Sequence, residues 1–444
     1  MTERPLLVMS SPAYVLDLSP NGLGAVRILA RAGVAVRGFD CDPAREGFRS
    51  RYGRPRLCPD PTGDPDGLVE FLRGMVRAER RPPFLLPCND KFAEFVSVRR
   101  SELEPDFVFV LSPPDLFEAL LDKAGTYELA ARTGLAVPRT ANVVAGPGTA
   151  KVVAEPGNGS RSIPDGFPFP ALLKPAMTYT LWGLTRGKVL VVRNPDEAGR
   201  ALASLPAGVA FALQEVIPGG DDRLIFYSTY RDRSGQALAE FVSRKVRQYP
   251  PGFGTATLFE SYVDEEVLET GRRLFDGIGH RGLGSAEFKR DARDGRLKLI
   301  EVNPRLWLFH PLSVPAGVDF VLTAYRDATG RPVPPQTQAA RTVKWLLLLR
   351  DLAVSLFYWR DGRLTIRDWL ASYRGPMVKA LWSIDDPLPF LWSLLKVAVK
   401  AARRASGRFG RTAGPSVSEL SWAEQMETLS PRGGTASAAA PPRS

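Results

Sequence analysis

The stretch "LIEVNPRLW", residues 299–307, sets an acid, an amide and a base at alternate positions, Glu301, Asn303 and Arg305. Side chains in an extended segment alternate between faces, so these three point one way and Ile300 and Val302 the other. Upstream, "GSAEFKRD" (284–291) repeats the pattern, with Glu287 and Lys289 opposite in sense to Ala286 and Phe288. The "ARDGR" between them is a turn signal, and the two runs read as a hairpin. Opposed residues lie equally far from the turn centre, so Glu287 meets Glu301 only across a loop centred on Asp294. That predicts a three-residue loop, Arg293–Gly295, with Gly295 where a left-handed residue is needed. A two-residue Asp-Gly turn would put the glutamates on opposite faces unless a bulge restored the register.

Two carboxylates and an amide oxygen on one spot repel one another unless a cation lies between them. An all-oxygen set suits Mg²⁺ or Mn²⁺, and magnesium held by few protein oxygens completes its shell with water and substrate phosphates. The hairpin therefore points to nucleotide-phosphate chemistry. The competing reading, a solvated face charged for solubility, explains any single glutamate but not four polar residues in step.

At 444 residues and 44% hydrophobic composition the chain is long enough for two or three domains with substantial cores. Cys41, Cys58 and Cys88 have no paired spacing and there are two histidines, which argues against a zinc site or disulfide framework and fits a reducing cytoplasm. The apolar run near the N-terminus is too short for a secretory signal. The formal charge of +11 is concentrated rather than general: residues 341–411 hold fourteen Lys/Arg against five Asp/Glu, and five of the eight tryptophans. Cations beside tryptophans and leucines suit an anionic membrane surface, not nucleic acid.

Apolar runs and helical patterns alternate from the start ("PLLVM", "NGLGAVRILARAG", "VAVRGFD", "DGLVEFLRGMVRAE", "PFLLP"), which indicates a parallel α/β domain over residues 1–114. "NGLG" (21–24) lies too far from the first strand for a dinucleotide fingerprint, and its glycines read as loosening a helix start. Residues 115–333 return to mixed strand and helix, divided at 213/214. Residues 334–408 read as a basic, Trp-rich helical extension, and 409–444, rich in Ala, Ser, Gly and Pro, as a disordered tail. Within the extension, "LPFLWSLLKVAVKAARR" (388–404) makes a helix with Lys396, Lys400, Arg403 and Arg404 on one face. Its apolar run falls short of the roughly 20 residues that span a bilayer, so it is expected to lie in the interface.

Taken in order, "LLDKAGTYELAARTGLAVP", "FPALLKPA", "LQEVIPGG" and "GSAEFKRD…LKLIEVNPR" resemble the ATP-grasp superfamily, and in pattern its carboxylate–amine ligases, over about residues 5–330. The resemblance implies a pre-ATP-grasp α/β domain, then a two-subdomain ATP-grasp fold. It implies ATP contacts from Lys123, Lys174, Gln214 and the backbone of Glu215, Val216 and Ile217, and magnesium (or manganese) on Glu287, Glu301 and Asn303. Arg305 would stabilise charge developing during phosphoryl and acyl transfer. Where many relatives carry a glycine-rich phosphate loop, this chain has "AMTYTLWGLTRGK", with Thr178, Thr180 and Lys188 as substitutes. "SRKVRQYPPGFGTATLFES" resembles the substrate-side segment, which makes Lys245 and Arg247 candidates to hold an acceptor carboxylate. His310 is read as a core histidine.

The implied reaction activates a small-molecule carboxylate as an acyl phosphate and couples it to an amine, in the cytoplasm and at the inner membrane surface. The alternatives are a carboxylase or carbamoyl-phosphate type of enzyme sharing the ATP site, and a non-catalytic nucleotide-binding peripheral membrane protein.

Overall fold

The computed structural model describes residues 10–144, 151–152, 163–175, 190–205 and 210–405; Thr178, Thr180, Lys188 and the tail expected over 409–444 lie outside them. These described residues form two compact units, one from those of 10–138 and 219–403 and the other from those of 139–218.

The first unit begins with a parallel sheet, β1 (Ala13–Leu16), β2 (Val36–Asp40), β3 (Arg56–Leu57) and β4 (Phe84–Pro87), in the order β3-β2-β1-β4. Alternate residues of β1 enter different cores: Ala13 and Val15 pack with Leu23, Val26 and Leu29, and Tyr14 and Leu16 with Leu68, Leu72 and Phe92. Helices Pro20–Arg31, Pro65–Val76 and Asp90–Val98 start on the side-chain caps Ser19, Asp64 and Asn89. The chain leaves β1 on one side to form β2 and returns on the other as β4, which opens a crevice at the carboxyl ends of β1 and β4. The glycines of "NGLG" do not loosen the helix that follows β1. They let it approach closely: a Cβ on Gly22 would lie 1.8 Å from the Asp17 carbonyl oxygen, and one on Gly24 would press on Pro311 and His310.

The second unit holds a five-stranded antiparallel sheet of β5 (Thr140–Val144), β6 (Lys151–Val152), β7 (Ala171–Pro175), β8 (Leu190–Val192) and β9 (Ala210–Glu215), in the order β6-β5-β9-β7-β8. Val143, Leu173, Phe211 and Leu213 pack there against Ala198 and Leu202 of helix Pro195–Ala203.

Back in the first unit, β10 (Leu224–Arg231), β11 (Ala237–Tyr249), β12 (Thr255–Ser261), β13 (Gly282–Arg290), β14 (Leu297–Asn303), β15 (Lys344–Leu346) and β16 (Met377–Lys379) form a sheet in the order β14-β13-β10-β11-β12-β15-β16. One face packs Ile225, Tyr227, Val242, Ala286 and Phe288 on Val267, Leu274 and Phe275 of helix Glu265–Gly277. The C-terminal segment is mainly helical, with helices Leu348–Arg360, Ile366–Ser372 and Leu388–Ala405. It also supplies β15 and β16, and Trp345 of β15 is fully buried, so the segment is part of the same folded unit. No helix of the described residues is long and apolar enough to cross a membrane.

Both histidines are buried in the first unit. His280 Nδ1 meets Ser112 Oγ at 2.9 Å, and His310 Nδ1 meets the Trp307 carbonyl at 2.8 Å. Burial pushes them down to about 3 and about 4 from an ordinary value near 6.5. The unfolded chain protonates first, so their contribution to stability is complete above pH 6.5 and declines as pH falls toward those values. Asp40, pushed up to about 6 by burial and then by Asp17, works in the opposite direction between about pH 6 and 4. Urea unfolding should therefore show a net loss on the order of 2–3 kcal/mol between pH 7 and 5. A flat profile would contradict the assignment.

Candidate active site

In the hairpin, Glu287 stands directly opposite Glu301 and Ser285 opposite Asn303. The route to that pairing differs from the expected one. Beyond Glu287 the register shifts, with Phe288 opposite Leu299 and Lys289 opposite Lys298, so that Ile300 is an extra residue on β14. The loop is not Arg293–Gly295 but four residues, 292–295. Asp291 N–H donates to the Arg296 carbonyl and Gly295 N–H to the Asp291 carbonyl, each at 2.9 Å, with Gly295 at φ +74°. Two aspartates favour the longer loop, Asp291 Oδ1 accepting from Arg293 N–H (2.9 Å) and Asp294 Oδ1 from Arg296 N–H (3.0 Å). An even-numbered loop alone would separate the glutamates, and the bulge at Ile300 returns them to one face. Tyr127 holds the bulge, its hydroxyl donating to the Ile300 carbonyl at 3.0 Å. Ala286, Phe288, Leu299 and Val302 fill the core beneath.

Like charges directly opposite on a sheet are destabilising. Here a cation compensates: Lys245 on β11, a buried residue, places Nζ 3.1 Å from Glu287 Oε1 and 3.1 Å from Gln248 Oε1. Lys289 shares the face, its ammonium pushed down by burial despite the nearby carboxylates of Asp221 and Glu287, with Lys245 adding to the effect. Arg305 grips Asp90 with two bonds, Nε to Oδ1 at 2.5 Å and Nη2 to Oδ2 at 2.9 Å, and donates to Asn303 Oδ1 at 3.1 Å. Burial alone would lower its pKa, but Asp90 and then Glu301 outweigh it and the pKa is raised, which keeps the guanidinium charged. Asp90 opens helix Asp90–Val98 at the carboxyl end of β4, so the hairpin's arginine is oriented from the crevice of the parallel sheet. In the sequence Asp90 is indistinguishable from an ordinary first-turn acid, and sequence reasoning missed it. Asp221, Gln248 and Tyr358, buried around Lys245, were missed for the same lack of a local signal.

Arg247 was expected beside Lys245 as a carboxylate holder. The register of β11 against β12 is irregular between Lys245 and Arg247, which takes the two out of step. Arg247 is instead buried and fastened to Asp351 of helix Leu348–Arg360 by Nε at 3.0 Å and Nη2 at 2.7 Å, with Ser372 Oγ at 3.0 Å. Its guanidinium is engaged in anchoring the C-terminal segment, which corrects the expected role. Lys123 is the first residue of helix Lys123–Arg132, behind the cap Asp122.

In the second unit, Lys174 on β7 donates to Gln214 Oε1 on β9 at 2.7 Å, and Gln214 Nε2 to Thr140 Oγ1 at 3.2 Å. Two sequence-predicted nucleotide residues are thus neighbours. The N–H groups of Glu215 and Val216 donate to the carbonyls of Arg139 (2.9 Å) and Pro170 (3.2 Å), and Ile217 is buried.

Among the described residues no group of three or more His, Cys, Asp and Glu is arranged to hold a metal. Two opposed carboxylates with an amide oxygen on the same face is a smaller set, and it fits a magnesium ion that draws its remaining ligands from water and phosphate.

Comparison with known proteins bears on the same region. Residues 255–335 match the family described as carbamoyl-phosphate synthase L chain, ATP binding domain. The chain is 26% identical over 229 residues to a D-aspartate ligase of Enterococcus faecium (strain Aus0004), a match that covers 50% of this chain and 52% of that one. The chain thus spans about half the length of this curated relative. Among solved structures, N5-carboxyaminoimidazole ribonucleotide synthetase from Thermus thermophilus superimposes with a TM-score of 0.53 at 16% identity, covering 73% of this chain and 79% of that one. Biotin carboxylase from Campylobacter jejuni gives 0.54 at 17%, covering 74% of each. L-amino acid ligase from Bacillus licheniformis gives 0.52 at 14%, covering 75% and 79%. The family match takes in Glu287, Glu301, Asn303 and Arg305, and the fold is similar to that of the three solved structures.

Proposed function

We propose that the chain is an ATP-dependent carboxylate–amine ligase of the cytoplasm. The observation that carries this reading is the single face on which Glu287 stands opposite Glu301, flanked by Lys245, Asn303 and an Arg305 oriented by Asp90. Glu287, Glu301 and Asn303 would hold magnesium, which when bound neutralises charge on the transferring phosphoryl group. Lys123, Lys174, Lys188 and the Gln214–Ile217 segment hold the nucleotide. A substrate carboxylate attacks the terminal phosphorus of ATP, ADP leaves, and the acyl phosphate is attacked by an amine that displaces phosphate and forms an amide. Lys245 and Arg305 stabilise the developing oxyanions. ADP release by purified protein, screened against pools of amino acids, hydroxy acids and amines, should appear only when a carboxylate and an amine are both present. Release that requires bicarbonate instead would favour a carboxylase.

The same reading places the enzyme at an anionic membrane surface through its C-terminal segment. Of nineteen large hydrophobic side chains exposed among the described residues, fourteen lie between Leu352 and Val399. Among the described basic side chains of the last helix, Lys396 is engaged by the rest of the unit and Lys400 is exposed. Lys396 pairs with Glu46 at 2.5 Å and the Trp392 ring lies 4.4 Å from the Arg49 guanidinium, while Leu388, Leu391, Leu394, Leu395 and Val399 stand exposed. An exposed leucine stripe in a segment of positive net charge is suited to an anionic interface. The full chain should float with phosphatidylglycerol vesicles at low salt, and Leu391→Glu with Leu395→Glu should abolish flotation. A wild-type chain that stays soluble would remove the membrane from the account.

A further inference from the structure

The residues that hold Lys245 in place form a continuous buried chain leading away from the glutamates. Lys245 Nζ donates to Gln248 Oε1 at 3.1 Å, and the same oxygen accepts from Gly254 N–H at 3.1 Å. Gln248 Nε2 donates to Asp221 Oδ1 at 2.6 Å, and the other carboxylate oxygen of Asp221 accepts from the Tyr358 hydroxyl. Lys245, Gln248, Asp221 and Tyr358 are all buried. Tyr358 comes from helix Leu348–Arg360, beyond residue 335 where the family match ends. We infer that Tyr358 is a positioning residue for Lys245, and that the C-terminal segment is in this way part of the catalytic apparatus.

The two ends of the Gln248 amide decide where Lys245 sits. Its nitrogen and oxygen occupy nearly the same space, and only their partners decide which points where. Asp221 accepts and cannot donate while ionised, so it fixes the Gln248 nitrogen toward itself and the oxygen toward the Lys245 ammonium. Tyr358 in turn holds Asp221, and its hydroxyl, raised in pKa by burial and then by Asp221, remains a donor. Without that hydroxyl Asp221 is free to turn and the amide is free to flip. A flipped amide presents N–H groups to an ammonium, which drives Lys245 onto Glu287, the residue read above as a metal ligand. Lys245 and the metal then compete for one carboxylate. Thus a tyrosine that touches no substrate would govern metal affinity at the far end of the chain of bonds. The nearby second fastening, Arg247 to Asp351 of the same helix, fixes the backbone of β11 but makes no contact with Lys245 in this chain of bonds.

The inference rests on the metal-site reading of Glu287, so the test separates the two. Mn²⁺ binding by the full chain in the presence of ADP is followed by the loss of the free-ion resonance. Tyr358→Phe should weaken Mn²⁺ about 5-fold in the wild-type background, the scale of a coupled pair, and have no effect in a Lys245→Met background. Gln248→Met should reproduce the loss, and adding Tyr358→Phe to it should change nothing further. An equal loss with and without Lys245, or no loss at all, would show that Tyr358 serves packing alone and would overturn the inference while leaving the metal site in place. A wild-type chain that binds no Mn²⁺ would overturn both.

Discussion

Glu301→Gln should lower ATP turnover by roughly 10³-fold while leaving the fold intact. Glu301 is exposed and lies opposite Glu287, so the neutral isostere removes a like-charge contact and leaves the core residues Leu299 and Val302 undisturbed. Stability in urea should be unchanged or slightly higher, and Mn²⁺ affinity should fall in parallel with turnover. A folded Glu301→Gln protein that hydrolyses or transfers phosphate at the wild-type rate would remove the metal assignment. Gln in this position keeps the size and loses the charge, which separates the electrostatic role from packing.

Arg247→Ala should produce the largest loss of stability, on the order of 3–5 kcal/mol, because it leaves the fully buried Asp351 carboxylate without its bidentate partner. Thr257 and Tyr373 also donate to Asp351, at 2.7 and 2.5 Å, and would retain part of its solvation. Replacing both members, Arg247→Met with Asp351→Leu, should recover much of the loss, since two apolar groups of similar volume carry no desolvation cost. Equilibrium urea unfolding decides it. A loss under about 1 kcal/mol for Arg247→Ala would mean that the C-terminal helix is not anchored by this pair.

The legible parts of this protein were those governed by short-range periodicity. Alternation in "LIEVNPRLW" placed Glu301, Asn303 and Arg305 on one face, and alternating strand and helix signals announced the parallel sheet. The meeting of Glu287 with Glu301 was also foreseen, but through a loop that does not exist: aspartate side chains added a residue to the turn and Ile300 absorbed it. The bulge left no mark in the sequence, because its stabilising bond comes from Tyr127, far away in the chain. Long-range partners account for the other misses. Asp90, Asp221 and Tyr358 are common residues in ordinary local contexts, and only the packing of distant elements gives them a site. Arg247 shows the converse. A basic residue in the right neighbourhood was assigned to substrate because its partner, Asp351, lies in a segment that read as a separate extension.

If a carboxylate is activated as an acyl phosphate on the Glu287–Glu301 face, a stronger nucleophile than water should trap it. Hydroxylamine, supplied in place of the amine to enzyme with Mg-ATP and the carboxylate identified by ADP release, tests it most directly. A stoichiometric hydroxamate and ADP are expected, both lost in Glu301→Gln. Release of ADP with no hydroxamate, under conditions where amide product forms, would contradict it.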